Sequence, residues 1–261
     1  ASYAPILREP ARAAYRGRTV LTNPPPSAGG ILLALAFDRL EQRCAAGAPR
    51  TDDLVAVMDD VQALRTREFL DGLPDDGFLE RFLAANLGST THVAALDADG
   101  LACSVTCTNG ASSGVVVPGT GIHLNNIMGE SDLNPHGFFR EPPGRRMPSM
   151  MAPTVVLGPG GDVEIALGSA GSNRIRSAIL QVVVNALDHG MDADAAIRAP
   201  RVHAEDGVVY AEPGTDTAAL EAAGREIVCF RATNLFFGGA QAVERLPDGG
   251  FSGGGDPRRG G

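Results

Sequence analysis

Lysine is absent from this 261-residue chain, and all 22 basic residues are arginine. That pattern reads as the coding preference of a GC-rich genome. Positive charge is scarce against 31 acidic residues, leaving a net charge of −9. A chain of that sign has no electrostatic pull toward nucleic acid or an anionic membrane, so neither is expected as a partner. Cysteine is sparse: Cys44, Cys103, Cys107 and Cys229 form no CxxC pair, and small buried apolar residues are the expectation, not disulfides or metal ligands. The histidines His92, His123, His136, His189 and His203 show no HxxxH spacing, so no metal site and no cofactor is expected. Long apolar runs are missing too. "ILLALAF" is too short to cross a bilayer, and no signal peptide is visible, which tilts the expected compartment to the cytoplasm unless a longer precursor carries a leader.

What is present suits a globular chain of one large domain or two small ones. Hydrophobic residues make up 44%, and 33 glycines with 18 prolines predict many tight turns. "NPPPSAGG" is an extended connector whose Ser27 is placed to cap a helix. Helical spacing follows over Ile31–Arg43 and again over Thr51–Leu70, where Leu54, Val57, Val61 and Leu64 share a face. A further short helix is expected over Phe78–Ala85. From Thr91 onward the pattern changes to short strands. "HVAALD" and "LACSVTCT" flank the turn "ADG", and "PTVVL" and "VEIALGS" flank "GPGGD": two hairpins. An apolar helix over 177–190, stopped by Gly190, and a short helix ended by Pro200 come next. Strand pairs with helices grouped after them predict a layered α+β sandwich. The glycine-rich tail "GGFSGGGDPRRGG" reads equally as a floppy terminus or as a strand and loop.

The stretch "GSTTHVAALDADG" places adjacent threonines at the start of the first hairpin. Alternation puts Ser104, Thr106 and Thr108 on one face of the second strand and Cys103, Val105 and Cys107 on the other. A hairpin brings its open ends together, so Thr90 and Thr108 become neighbours. Two adjacent hydroxyls suit a nucleophile and a hydrogen-bonding helper. Threonine also simply favours strands, and on the pattern alone that plainer reading is preferred.

"TTHVAALDADGLACSVTCTN…SSGVVVPGTGIHLNN" resembles the start of the small subunit of γ-glutamyltransferases (γ-glutamyl transpeptidases). "YRGRTVLTNPPPSAGGILLALAFDRLE", "RRMPSMMAPTVVL", "GSAGSNRI", "APRVH" and "GGAQAVERLPDGGFSGGGDPRRGG" are similar to further segments of that family, in its order. The resemblance implies an N-terminal-nucleophile hydrolase with an αββα sandwich, lacking most of the family's large subunit. Residues 1–89 would be the mostly helical C-terminal remnant of that subunit, and residues 90–261 the small subunit with the catalytic core. It implies self-cleavage between Ser89 and Thr90, which makes Thr90 both nucleophile and, through its freed α-amine, its own base. It further implies Thr108 as the residue hydrogen-bonding the nucleophile, and Gly171 with Ser172 as backbone donors to an oxyanion. Asn109, Glu130 and Ser149 would bind the α-substituents of a γ-glutamyl donor. The implied partners are a small γ-glutamyl compound such as glutathione and a water or amine acceptor.

The recognition half departs from the family pattern. The second of two carboxylate-binding serines is Met150, an acid or amide position is Ile127, a second glycine is Ser172, and an aspartate is Glu130. Buried polar recognition does not tolerate unpaired groups. The readings that follow are a γ-glutamyltransferase-like amidohydrolase, an acylase or poly-γ-glutamate hydrolase with altered acyl specificity, or an inactive or partner-dependent remnant. The partner is then a missing large-subunit segment or a second copy of the chain.

Overall fold

The computed structural model describes residues 4–64, 89–110, 112–129, 133–134, 137–140 and 142–261. The expected helix over Phe78–Ala85, the end of the one expected to reach Leu70, and Glu130 lie outside them. In chain order the strands are β1 (Ala11–Tyr15), β2 (Arg18–Thr22), β3 (Ser89–Leu96), β4 (Ala102–Gly110), β5 (Thr154–Leu157) and β6 (Val163–Ala170). They continue as β7 (Val202–Glu205), β8 (Val208–Ala211), β9 (Glu226–Cys229), β10 (Gly239–Arg245) and β11 (Phe251–Gly255). The helices are α1 (Ala28–Arg43), α2 (Thr51–Ala63), α3 (Arg174–Leu187), α4 (Ala193–Arg198) and α5 (Ala218–Ala222).

One antiparallel sheet of six strands, ordered β1-β2-β5-β6-β10-β11, organises the fold. Its central strand β6 is buried from Ile165 to Ala170 because both faces are covered. Helices α1 and α3 pack on one face and the β3–β4 hairpin on the other. The layers are therefore helix, sheet, sheet. A smaller sheet, β7-β8-β9, carries α2. Both expected hairpins are present, and Asp97 Oδ1 closes the first by accepting from the backbone N–H of Asp99 (3.0 Å) and Leu101 (2.9 Å).

The β1–β2 hairpin was not legible in the sequence. Strand β1 buries Ala11, Ala13 and Tyr15, and two alanines are too small to mark an alternation. The stretch expected to be mostly helical thus also adds two strands to the central sheet. The Ser27 cap is present: its Oγ accepts from Gly30 N–H. Gly29 and Gly30 follow because a Cβ there would lie 2.0 Å from Met150 O and Asn23 O respectively. Helix α3 begins three residues before the expected 177 and ends at Leu187, with Gly190 in a left-handed turn beyond it.

The tail resolves to a strand and loop. Strand β11 pairs with β10, and Asp256, wholly buried, ties the loop down. Its carboxylate accepts from Ala240 N–H (2.8 Å) and pairs with Arg201 (2.7 Å) and Arg258 (3.1 Å), while Arg258 also pairs with Glu212. All four cysteines are free, but the expected burial holds for Cys44 alone, since Cys103, Cys107 and Cys229 are exposed. The first two lie on the outer face of β3–β4, which also presents Val93 (61% exposed) and Val105 (43%) with nothing over them among the described residues.

Candidate active site

The hairpin holds Thr90 opposite Thr108 as antiparallel partners, half-buried on the face turned to the central sheet. Ser89 pairs with Gly110, so the register slips by one residue at the Ser89–Thr90 bond and Asn109 is the extra residue opposite it. A bulge of this kind bends the strand and frees local backbone from the ladder. Gly110 sits at φ +64° there and donates its N–H to Thr108 Oγ1 at 3.0 Å. The Asn109 carbonyl accepts from Ser112 N–H (3.2 Å) and Asn126 N–H (3.1 Å), which folds the following loop back over the hairpin end.

Below Thr90, His92 is buried against Gly168 of β6; a Cβ on Gly168 would lie 2.3 Å from the ring. Its Nδ1 meets Thr106 Oγ1 at 2.9 Å and its Nε2 has no partner among the described residues. Burial pushes the imidazole down to about 4, so it is uncharged near neutral pH. Ser104 Oγ donates to Leu167 O (2.9 Å) and accepts from Thr154 N–H (3.0 Å), a second pin between hairpin and sheet.

A cleft of about 700 Å³ opens beside this hairpin end. Thr90, Thr108 and Asn109 line it with Ala170, the residue before Gly171. Leu235, Gln241, Arg258 and Arg259 line its far side. None of these four stood out in the sequence. The "DPRR" of the tail was the one available signal, since an Asp-Pro start commonly initiates a turn.

The Gly171–Ser172 turn carries consecutive positive φ angles, +124° and +58°. Gly171 is obligatory: a Cβ would lie 2.6 Å from Gly238 Cα. Ser172 is buried in a left-handed conformation uncommon for a non-glycine residue, with its Oγ unpartnered among the described residues. The turn is closed by Arg174 N–H to Gly171 O (3.1 Å) and Ile175 N–H to Ser172 O (3.0 Å). Such a turn next to a cleft offers backbone donors to a developing negative charge.

Ser149 lies elsewhere. It lines a second cleft, of about 460 Å³, with Arg8, Pro24 and Arg146, which shares no lining residue with the first. Its carbonyl accepts from Gly29 N–H (3.2 Å), and the adjacent Met150 is buried at 5% exposure. The structure thus brings together Thr90, Thr108 and Asn109 with Ala170, the residue before the Gly171–Ser172 turn, and does not place Ser149 with them.

The family described as Gamma-glutamyltranspeptidase matches residues 74–261. The "Acylase ACY 1 proenzyme" of Pseudomonas sp. (strain SE83) is 31% identical over 97% of this chain and 51% of its own length. The "Glutathione hydrolase proenzyme" of Escherichia coli (strain K12) is 28% identical over 99% of this chain and 52% of its own length. Among solved structures, a cephalosporin acylase from Bacillus halodurans superposes with a TM-score of 0.76 over 98% of this chain and 52% of that one, at 24% identity. The chain spans about half the length of the curated relatives it matches. Its fold is that of the N-terminal-nucleophile hydrolases, and the chain belongs to the γ-glutamyltranspeptidase family.

Proposed function

We propose that this chain carries the catalytic half of an amidohydrolase of the γ-glutamyltransferase type, latent until the Ser89–Thr90 bond is cut. The observation that carries the reading is the placement of Thr90 opposite Thr108 at the edge of the large cleft, with the Gly171–Ser172 turn adjoining it. Cleavage gives Thr90 a free α-amine, whose ordinary pKa of about 7.7–8.0 lets it take the hydroxyl proton near neutral pH. The Thr90 oxygen then attacks the γ-carbonyl of the donor. The N–H groups of Gly171 and Ser172 stabilise the resulting oxyanion, and losing one such donor typically costs about 3 kcal/mol. Collapse expels the amine, which leaves with the proton held by the Thr90 amine. Water or an acceptor amine then resolves the γ-glutamyl ester and restores the hydroxyl.

The uncovered outer face of β3–β4, with Val93 and Val105, supports a partner. In this reading that partner is the large-subunit segment that would supply the sandwich's second helix layer. Adding that segment as a separate chain should raise turnover of a γ-glutamyl anilide; no turnover with it present and Thr90 freed sinks the proposal.

A second reading alters the acyl group. Ser149 and the buried Met150 do not line the Thr90 cleft, so among the described residues no serine pair for the α-carboxylate faces it. That favours an acylase with another acyl preference. Preferred turnover of γ-glutamyl anilide over other acyl anilides rejects this variant.

A further inference from the structure

Ser177, His203 and Glu205 are joined in a row: Ser177 Oγ lies 2.9 Å from His203 Nδ1, and His203 Nε2 lies 3.4 Å from Glu205. The connectivity imitates a hydrolytic triad. The void beside Ser177 and His203 is only about 20 Å³, room for one water at most, so no substrate reaches it. The row has another use. Glu205, at the end of β7, accepts from the Asn173 side-chain amide through one oxygen and pairs with Arg174 at 3.4 Å through the other. These are the two residues directly after the Gly171–Ser172 turn.

Asn173 gives something up for this arrangement. Asn173 occupies the N-cap of α3 but makes no capping hydrogen bond, and its Oδ1 is buried without a partner among the described residues. Asparagine is among the best capping residues, so its diversion to Glu205 forgoes a helix cap. Arg174 is buried, lies over the Phe236 ring at 4.6 Å and donates from Nε to Phe236 O at 3.1 Å. Its Cβ stands 3.7 Å from where a Cβ on Gly171 would be, directly against the turn.

We infer that Glu205 is a positioning residue: holding Asn173 and Arg174 together, it fixes the Gly171–Ser172 backbone and so sets the rate of acyl transfer at Thr90. The link to rate rests on the function proposed above; the link to the turn does not. Left-handed backbone at a non-glycine residue persists only where the surroundings over-determine it, and Glu205 supplies two of the ties.

The test uses the full chain with Glu205→Gln, which keeps a carbonyl for Asn173 but removes the charge facing Arg174, and with Glu205→Asp, which keeps the charge on a shorter arm. Hydrogen exchange is followed at the Arg174 and Ile175 amides, which close the turn, and at the β6 amides as an internal reference. Expected in Glu205→Gln is at least tenfold faster exchange at 174 and 175 with β6 unchanged, a kcat at least tenfold lower, and a KM within about twofold. Glu205→Asp should recover part of both. Unchanged exchange at the turn, or acceleration shared equally by β6, overturns the inference. Local loosening in a wild-type background that performs no acyl transfer rejects the proposed function while leaving the positioning role intact.

Discussion

Thr90 and Thr108 are cross-strand partners at the open end of β3–β4, and the single bulge residue Asn109 sits opposite the Ser89–Thr90 bond. The bulge places an irregular peptide bond beside the hydroxyl that would attack it. If Thr108 orients the Thr90 hydroxyl, Thr108→Ala should lower kcat about 10- to 100-fold, the equivalent of one charge-assisted hydrogen bond. Thr108→Ser should stay within a few-fold of wild type. Steady-state kinetics on an acyl anilide checks this, and an equal loss in both variants assigns Thr108 a packing role instead.

Gly171 and Gly238 approach so closely that neither tolerates a side chain. A Cβ on Gly238 would lie 2.7 Å from Ala170 O, and both residues have positive φ. Gly171→Ala and Gly238→Ala should each destabilise the fold by about 1–3 kcal/mol and disable the turn. Denaturation midpoints and turnover check this. Normal activity in Gly171→Ala removes the turn from the mechanism.

Stability should fall as pH falls, in two windows. His92 is held down to about 4 by burial against an ordinary 6.5. Between those values the unfolded chain binds a proton that the folded chain does not, so folding weakens on acidification. Burial acts to raise Glu205, but hydrogen bonds and neighbouring charge outweigh it and leave it at about 2 against an ordinary 4.5. His203, whose hydrogen bond and charge lead this lowering, is itself pushed down by burial, and Arg174 and Asn173 hold the carboxylate beside it. The Glu205 contribution is present above its ordinary value and is lost as pH falls toward 2. Urea midpoints at a series of pH values should therefore decline from about 6.5 downward, and a flat profile contradicts both assignments.

The tail is structural. Asp256 and Arg258 are buried and mutually paired, and Arg258 also donates to the Ile197 carbonyl at 3.0 Å and the Ala199 carbonyl at 2.9 Å. Breaking one member leaves a buried charge uncompensated, so Asp256→Asn should cost about 3–5 kcal/mol. Deleting residues 256–261 should also remove the Arg258 and Arg259 wall of the cleft. A deletion with unchanged midpoint shows the cluster to be dispensable.

Much of this was readable from residue order, and the misses have physical causes. The β3–β4 and β5–β6 hairpins announced themselves through alternation around Asp-Gly and Gly-Gly turns, and the Ser27 cap through its position before an apolar run. Strand β1 stayed hidden because alanine buries too little surface to mark a face. Cys103 and Cys107 were expected inside and lie outside, because the outer face of β4 has no cover among the described residues. Glu205 and Asp256 were invisible as organising residues, because the partners that tie them across the fold, Asn173 and Arg174 for one and Arg201 for the other, lie far away in sequence. The motif around Thr90 was local and legible; the far side of its cleft, Leu235, Gln241, Arg258 and Arg259, comes from distant parts of the chain.

The central claim is that Thr90 is a nucleophile released by cutting the Ser89–Thr90 bond. Mass analysis and N-terminal sequencing of the purified chain after self-incubation, alone and with the upstream segment supplied, test it directly. The account predicts a new amino terminus beginning Thr90-Thr91-His92, absent in Thr90→Ala. A species that stays intact at 27.0 kDa under both conditions, or a cut that persists in Thr90→Ala, contradicts it.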